Sequence, residues 1–286
     1  MSIRVVTDST ADLPLQLADQ LGIDVVPLWV TWAGQQYRDR LDLSPGELYA
    51  RLPTCRELPR TSQPALGDFL AVYERLLAEG HHIISIHISS KLSGTMECAR
   101  QARDLLRTKA IAVVDSLAGS LGCGFQAIEA ARAVLRGASV AEVLMRVERV
   151  RASMQVLFCL DTLAYLERGG RIGKLPAMLG GLLNVKPLLM VKDGAIAALG
   201  RARGTRAGLE ELLRHARELW PQSGAVTAGI IHGGAAELAQ VLQRRLCEVF
   251  GLSDILIAET GPAIGTHTGP GAVGLAFYSS PGEVTP

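Results

Sequence analysis

Three loops carry hydroxyls at positions where chemistry could be done: Thr7-Asp8-Ser9-Thr10, Ser89-Ser90-Lys91-Leu92-Ser93-Gly94-Thr95, and Asp115-Ser116 with Ser120. Each follows an apolar run that reads as a strand. In open α/β sheets ligands bind outside the carboxyl ends of strands, where helix N-termini aim backbone N–H groups at anions. With Thr61-Ser62-Gln63-Pro64 ahead of a further helix, the three loops are expected to converge on an anion site made of hydroxyls. Helix capping alone accounts for any one of them. Basic groups that could meet an anion stand in the second half. Glu167-Arg168-Gly169-Gly170-Arg171-Ile172-Gly173-Lys174 reads either as a solvated turn or as a docking surface for an acidic or phosphate-bearing partner. Arg201-Ala202-Arg203 and Thr266-His267-Thr268 are further candidates, or plain surface.

The gaps are informative. No Gly-x-Ser-x-Gly elbow occurs, and no His or Lys pairs with a Ser at motif spacing to activate a nucleophile. The six histidines show no ligand spacing, so no metal is expected, and His87 within a strand reads as a satisfied core residue. Gly269-Pro270-Gly271-Ala272-Val273-Gly274 matches a dinucleotide fingerprint but leads into a strand, whereas the fingerprint must open a helix. Gly122-Cys123-Gly124 follows Asp115 by too long a gap for the tight turn, and no Walker A lysine is present. An autonomous hydrolase or phosphotransferase using Asp8 or Ser93 is the alternative reading. It needs a base or metal that the motifs do not supply.

The elements that must position these residues are those of an α/β protein. The chain has 286 residues, 48% hydrophobic, with mean hydropathy +0.23, enough for a sizeable core and two α/β units. A net charge of +1 leaves no excess to condense on nucleic acid or an anionic membrane. Apolar runs are too short for membrane insertion. Five cysteines without a Cys-x-x-Cys pair, and an opening that passes from Met1 straight into a strand pattern, lead us to expect a reducing cytoplasm and no export. Strands are expected near 3–7, 24–31, 83–88 and 111–115, and Phe69, Val72, Tyr73, Leu76 and Leu77 put one stripe on a helix. Capping boxes at Ser44–Glu47 and Ser139–Glu142 open two more helices. After a boundary near 151 come a strand at 154–160, a hairpin over 187–199 and helices near 205–219 and 235–249. Strands near 225–231, 254–258 and 273–278 complete a mixed sheet.

Read together, Thr7-Asp8-Ser9-Thr10-Ala11-Asp12-Leu13-Pro14, Thr61-Ser62-Gln63-Pro64, Leu92-Ser93-Gly94-Thr95, Asp115-Ser116, Gly169-Gly170-Arg171-Ile172 and Gly265-Thr266-His267-Thr268-Gly269-Pro270-Gly271 resemble the DegV family. The match runs in order over nearly the whole chain. The resemblance implies two α/β domains, 1–150 with a mostly parallel sheet and 151–286 with a mixed one. It implies one long-chain fatty acid, such as palmitate, with its tail held in the first domain and its carboxylate between the two. Thr61 or Ser62, with Ser93, would hold the carboxylate, and Arg203 and His267 would stand close to it. It further implies a non-catalytic, cofactor-free subunit of bacterial fatty acid kinase. A separate ATP-binding subunit, facing Arg171, would phosphorylate the bound acid for phospholipid synthesis.

Overall fold

The computed structural model describes residues 2–173 and 184–280. Lys174, the end of the basic loop, lies outside them. The first half runs β1 (Ile3–Asp8), α1 (Leu15–Leu21), β2 (Ile23–Val26), β3 (Trp29–Trp32), β4 (Gln35–Arg38), α2 (Pro45–Arg51), β5 (Arg60–Ser62), α3 (Leu66–Ala78), β6 (His82–His87), α4 (Thr95–Leu106), β7 (Ile111–Asp115), α5 (Leu121–Leu135) and α6 (Val140–Ser153). The second runs β8 (Gln155–Cys159), α7 (Ala164–Arg168), β9 (Val185–Lys192), β10 (Ala195–Arg203), α8 (Thr205–Leu219), β11 (Val226–His232), α9 (Ala236–Phe250), β12 (Ile255–Glu259), α10 (Pro262–Thr268) and β13 (Val273–Ser279).

The fold is α/β with a parallel first sheet and a mixed second one, as the alternating pattern implied. The parallel sheet has the order β2-β1-β6-β7. Its strands are nearly continuous Val and Ile runs because helices cover both faces. The mixed sheet has the order β10-β9-β8-β13-β11-β12, parallel only between β11 and β12. Both capping boxes close as expected, Ser44 with Glu47 and Ser139 with Glu142.

The run at 24–31 is not one strand. Pro27 has no N–H for a ladder, so the chain breaks there. β2 stays with β1, while β3 joins a separate antiparallel sheet, β4-β3-β5. That sheet, absent from the sequence reading, carries Thr61 and Ser62.

Helix α5 lies between the two large sheets and packs on residues of both, including Val5, Ile84, Val156 and Ala276. Its glycines serve that approach. A Cβ on Gly124 would stand 2.6 Å from the Ala11 carbonyl oxygen, and one on Gly122 2.5 Å from Val156 Cγ2. The Gly-x-Gly here is a packing device.

Candidate functional site

Connections leave β1 toward opposite edges of the parallel sheet, so the carboxyl ends of β1 and β6 form its switch point. Asp8 ties the two loops together there. Its carboxylate accepts from the N–H groups of Thr10 at 3.0 Å and Ile88 at 3.1 Å, and from the Thr10 hydroxyl, and it meets His87 Nδ1 at 3.0 Å. Thr10, Ile88, Leu92 and Ser93 thereby form one side of a cavity of about 80 Å³. Thr61, Ser62 and Gln63 face them, and Arg171, Ile264, His267 and Thr268 complete the wall from the second half.

Four of the expected head-group residues, Thr61, Ser62, Ser93 and His267, are thus brought together. Thr61 Oγ1 and His267 Nε2 are 2.7 Å apart across 206 positions of sequence, and Ser93 Oγ lies 2.8 Å from Thr95 Oγ1. Burial, with the nearby Arg171 charge adding to it, pushes the His267 imidazole down to a pKa of about 4, so the ring is neutral at pH 7. The cavity's positive charge is Arg171. Gly170, at φ +71, reverses the chain after α7, and Arg171 turns inward to donate to the Gly169 carbonyl at 2.7 Å and to the Leu92 carbonyl at 3.4 Å. The side chain lines both this cavity and the cleft outside it.

Arg203 is not brought in. It is exposed at the end of β10 opposite Val185. That is seven positions past the cavity residue Ile196, some 20 Å along a strand at about 3.3 Å per residue. The third hydroxyl loop also stays out of the polar cavity. Asp115 instead accepts from the Ser90 hydroxyl at 2.6 Å and the Leu117 N–H at 3.0 Å, the local capping role such residues usually fill.

A second cavity of about 90 Å³ adjoins the first and shares Leu92, Ile196, Ile264 and Thr268 with it. Its walls are apolar. Leu92, Gly119 and Ser120 are its contributors from the first half; the rest, including Val156, Phe158, Val191 and Ile231, come from the second. Among the described residues, most of this apolar wall thus belongs to the second half, whereas the resemblance put the tail in the first.

On its outer side the polar cavity meets an open cleft of about 610 Å³, with Thr61, Arg171 and His267 common to both. Arg56, Arg60 and Arg168 line the cleft beside a single acid, Glu57.

The hydrolase alternative receives a Ser-His-Asp series that motif spacing did not show. His87 Nε2 lies 2.6 Å from Ser85 Oγ, which also accepts from Tyr73 OH at 2.7 Å, and His87 Nδ1 meets Asp8. Ser85 and His87 are alternate residues on β6 and so share a face. All four side chains are fully buried, so no substrate reaches the serine. In the cavity itself, among the described residues, His267 Nδ1 has no partner and no carboxylate orients that ring as a triad requires.

Ile196 and Ile264, which line the polar cavity, were not singled out from sequence. Helix α10 was missed as well, although Pro262 at its first turn is a start signal.

One glycine is fixed by this geometry. A Cβ on Gly169 would lie 2.1 Å from His267 Nδ1 and 2.8 Å from its Cε1. With φ near −74°, alanine suits the backbone and only the ring is displaced. Gly169→Ala is expected to cost about 1–3 kcal/mol as an overpacked site and to break the Thr61–His267 bond. Denaturant unfolding and the His267 NMR resonance check both.

The DegV family model matches residues 2–280. The chain belongs to the DegV family. A DegV domain-containing protein of Deinococcus radiodurans is 38% identical over 277 residues, covering 97% of this chain and 98% of the relative. A DegV family protein from Thermus thermophilus, solved in a study of its fatty acid binding, superposes with TM-score 0.92 at 40% identity, covering 98% of this chain and all of that one. DegV of Bacillus subtilis, described as a fatty acid binding protein, gives TM-score 0.87 at 31% identity, with 98% and 99% covered. Among the described residues of this DegV chain no helix is long and apolar enough to cross a membrane.

Proposed function

We propose that this DegV chain binds one long-chain fatty acid and presents its carboxylate to a separate ATP-dependent kinase subunit, which forms the acyl phosphate used in phospholipid synthesis. The observation that carries the reading is the junction of the two cavities. A polar chamber with Thr61, Ser62, Ser93, Arg171 and His267 opens, past Leu92, Ile196 and Ile264, into an apolar one. The polar-beside-apolar chemistry of the pair matches an amphiphile with a small anionic head and a long tail, for which the apolar walls must open beyond their present volume of about 90 Å³.

The physics divides the labour. Burying a methylene contributes about 0.8 kcal/mol, so a palmitoyl tail of some fourteen methylenes supplies on the order of 11 kcal/mol before ordering costs. Affinity resides in the tail. Hydroxyls and one arginine orient the head group and leave it reachable from the cleft. Arg56, Arg60 and Arg168 there suit the phosphates of a nucleotide-bearing partner. In this reading residues 1–150 and 151–286 are two units meeting at the head group, the protein works in the cytoplasm, and it needs no cofactor of its own.

Denaturing extraction and mass spectrometry should recover close to one fatty acid per chain. Acyl phosphate should form only when the kinase subunit is added. Recovery of no acyl lipid, with no binding of added palmitate or oleate, overturns the reading; turnover by the isolated chain favours the enzyme. Ser93→Ala removes one hydroxyl donor to the carboxylate, about 1.5–3 kcal/mol if desolvated. Palmitate should then still bind measurably while kinase-dependent turnover falls further, since a head group misplaced by about 1 Å can cost on the order of a hundredfold in rate. Isothermal titration alongside the acyl phosphate assay separates the two effects.

A further inference from the structure

The apolar cavity is not closed by the sheet behind it. Val156 and Val191 line it and also line an open groove of about 600 Å³ on the other side. They stand on neighbouring antiparallel strands, β8 and β9, one step past Leu157↔Met190, the last pair of that ladder, so the two valines flank the point where it ends. The groove beyond them is walled by Leu117, Met154 and Leu199. Among its charged residues Arg151 pairs with Glu148 and donates to the Asp115 carbonyl at 3.0 Å, His215 contacts Glu218 at 3.2 Å, and Lys192 and Asp193 line it as well. Leu117, 37% exposed, Met154 and Leu199 give the groove an apolar part, and Val156 and Val191 are the wall it shares with the acyl cavity.

We propose that Val156 and Val191 form a gate at the methyl end of the acyl site, and that the groove over Leu117, Met154 and Leu199 receives the terminal methylenes of chains too long for the cavity. This rests on the fatty-acid reading above. The pair sets chain length from the end opposite the head group. A chain that ends at the valines leaves them in place, and a longer one pushes its methyl end between them onto the apolar part of the groove at Leu117, Met154 and Leu199. Each added methylene that reaches apolar surface is then worth about fourfold in affinity, the equivalent of about 0.8 kcal/mol.

The test is competition among straight-chain saturated acids of twelve to twenty-two carbons, offered in equal amounts to delipidated protein and read by mass spectrometry after washing. Val156→Phe narrows the gate and should move the retained maximum about two to four carbons shorter. Val156→Ala with Val191→Ala should enrich chains of twenty carbons and more about fivefold or better. Leu117→Glu lies in the groove and outside the acyl cavity, on an exposed position. It should lower retention of the longest chains and leave fourteen carbons unchanged. An unaltered length profile in the double alanine variant and in Leu117→Glu overturns the gate while the fatty-acid reading stands. A parent protein that retains no acid of any length overturns that reading instead.

Discussion

Arg171→Ala is expected to weaken palmitate binding by about 2–4 kcal/mol, some thirtyfold to a thousandfold, and to depress kinase-dependent acyl phosphate formation at least as much. The range lies between a hydrogen bond to a charged group and the loss of one partner from a buried pair. Arg171 is the cation among the described residues that line the polar cavity, where Thr61, Ser62, Ser93 and Thr268 are neutral and burial keeps His267 uncharged at neutral pH. Removing it leaves a carboxylate among hydroxyls with no counter-charge. The same side chain reaches the outer cleft, so an incoming phosphate loses a partner as well. Titration with palmitate and acyl phosphate assays on one preparation give both numbers. Wild-type affinity with lost turnover would show that the arginine serves the partner alone, and Arg203→Ala, some 20 Å away along β10, should change neither.

Much of this was legible in the sequence, for physical reasons that differ by element. The parallel strands announced themselves because burial on both faces demands unbroken Val and Ile runs. Ser44 and Ser139 announced helices because each box pairs a hydroxyl with a glutamate three residues on. The hydroxyl loops at Thr10 and Ser93 followed from the switch-point rule. The small sheet was invisible, since β3 runs on from β2 as one apolar stretch and the meaning of Pro27 emerges only when two sheets compete for the strand. Arg203 looked like Arg171 in sequence. What separates them is that Gly170 turns one into the cavity, while the antiparallel ladder carries the other away along β10. The Asp8–His87–Ser85 series was hidden because its members come from two strands that only the sheet order makes neighbours. The resemblance carried the choice of ligand, which no spacing on its own could give.

Asp12→Ala should be the most destabilising single change of those argued here, at about 3–5 kcal/mol, because it strips a buried charge and several donors of their partner at once. Asp12 is fully buried and accepts from the Gly261 N–H at 2.8 Å, from Arg40 Nη1 at 3.2 Å and from the Ser120 hydroxyl. Asp39 beside it accepts from the Ala263 N–H at 3.0 Å. Two carboxyls of the first half thus hold the start of α10, the helix whose far end carries His267 and Thr268 into the polar cavity. Burial outweighs Arg40 and raises the Asp12 pKa to about 7. Between about pH 4 and 7 the folded chain therefore holds a proton that the unfolded chain has released, so this group's contribution is greatest in acid and is lost as pH rises through 7. His267 acts with the opposite sign. Its lowered pKa makes the folded chain bind fewer protons between about pH 4 and 6.5, and its contribution is lost as pH falls through 4. Asp12→Asn keeps an acceptor for Gly261 and Arg40, so it should cost less than half as much as alanine, and its stability should rise more steeply from pH 4.5 to 7 than that of the parent. Urea midpoints at several pH values check each point. An alanine variant within about 0.5 kcal/mol of the parent, the range of ordinary surface changes, would mean that α10 is held by its apolar face and that the carboxyl pair does not anchor it.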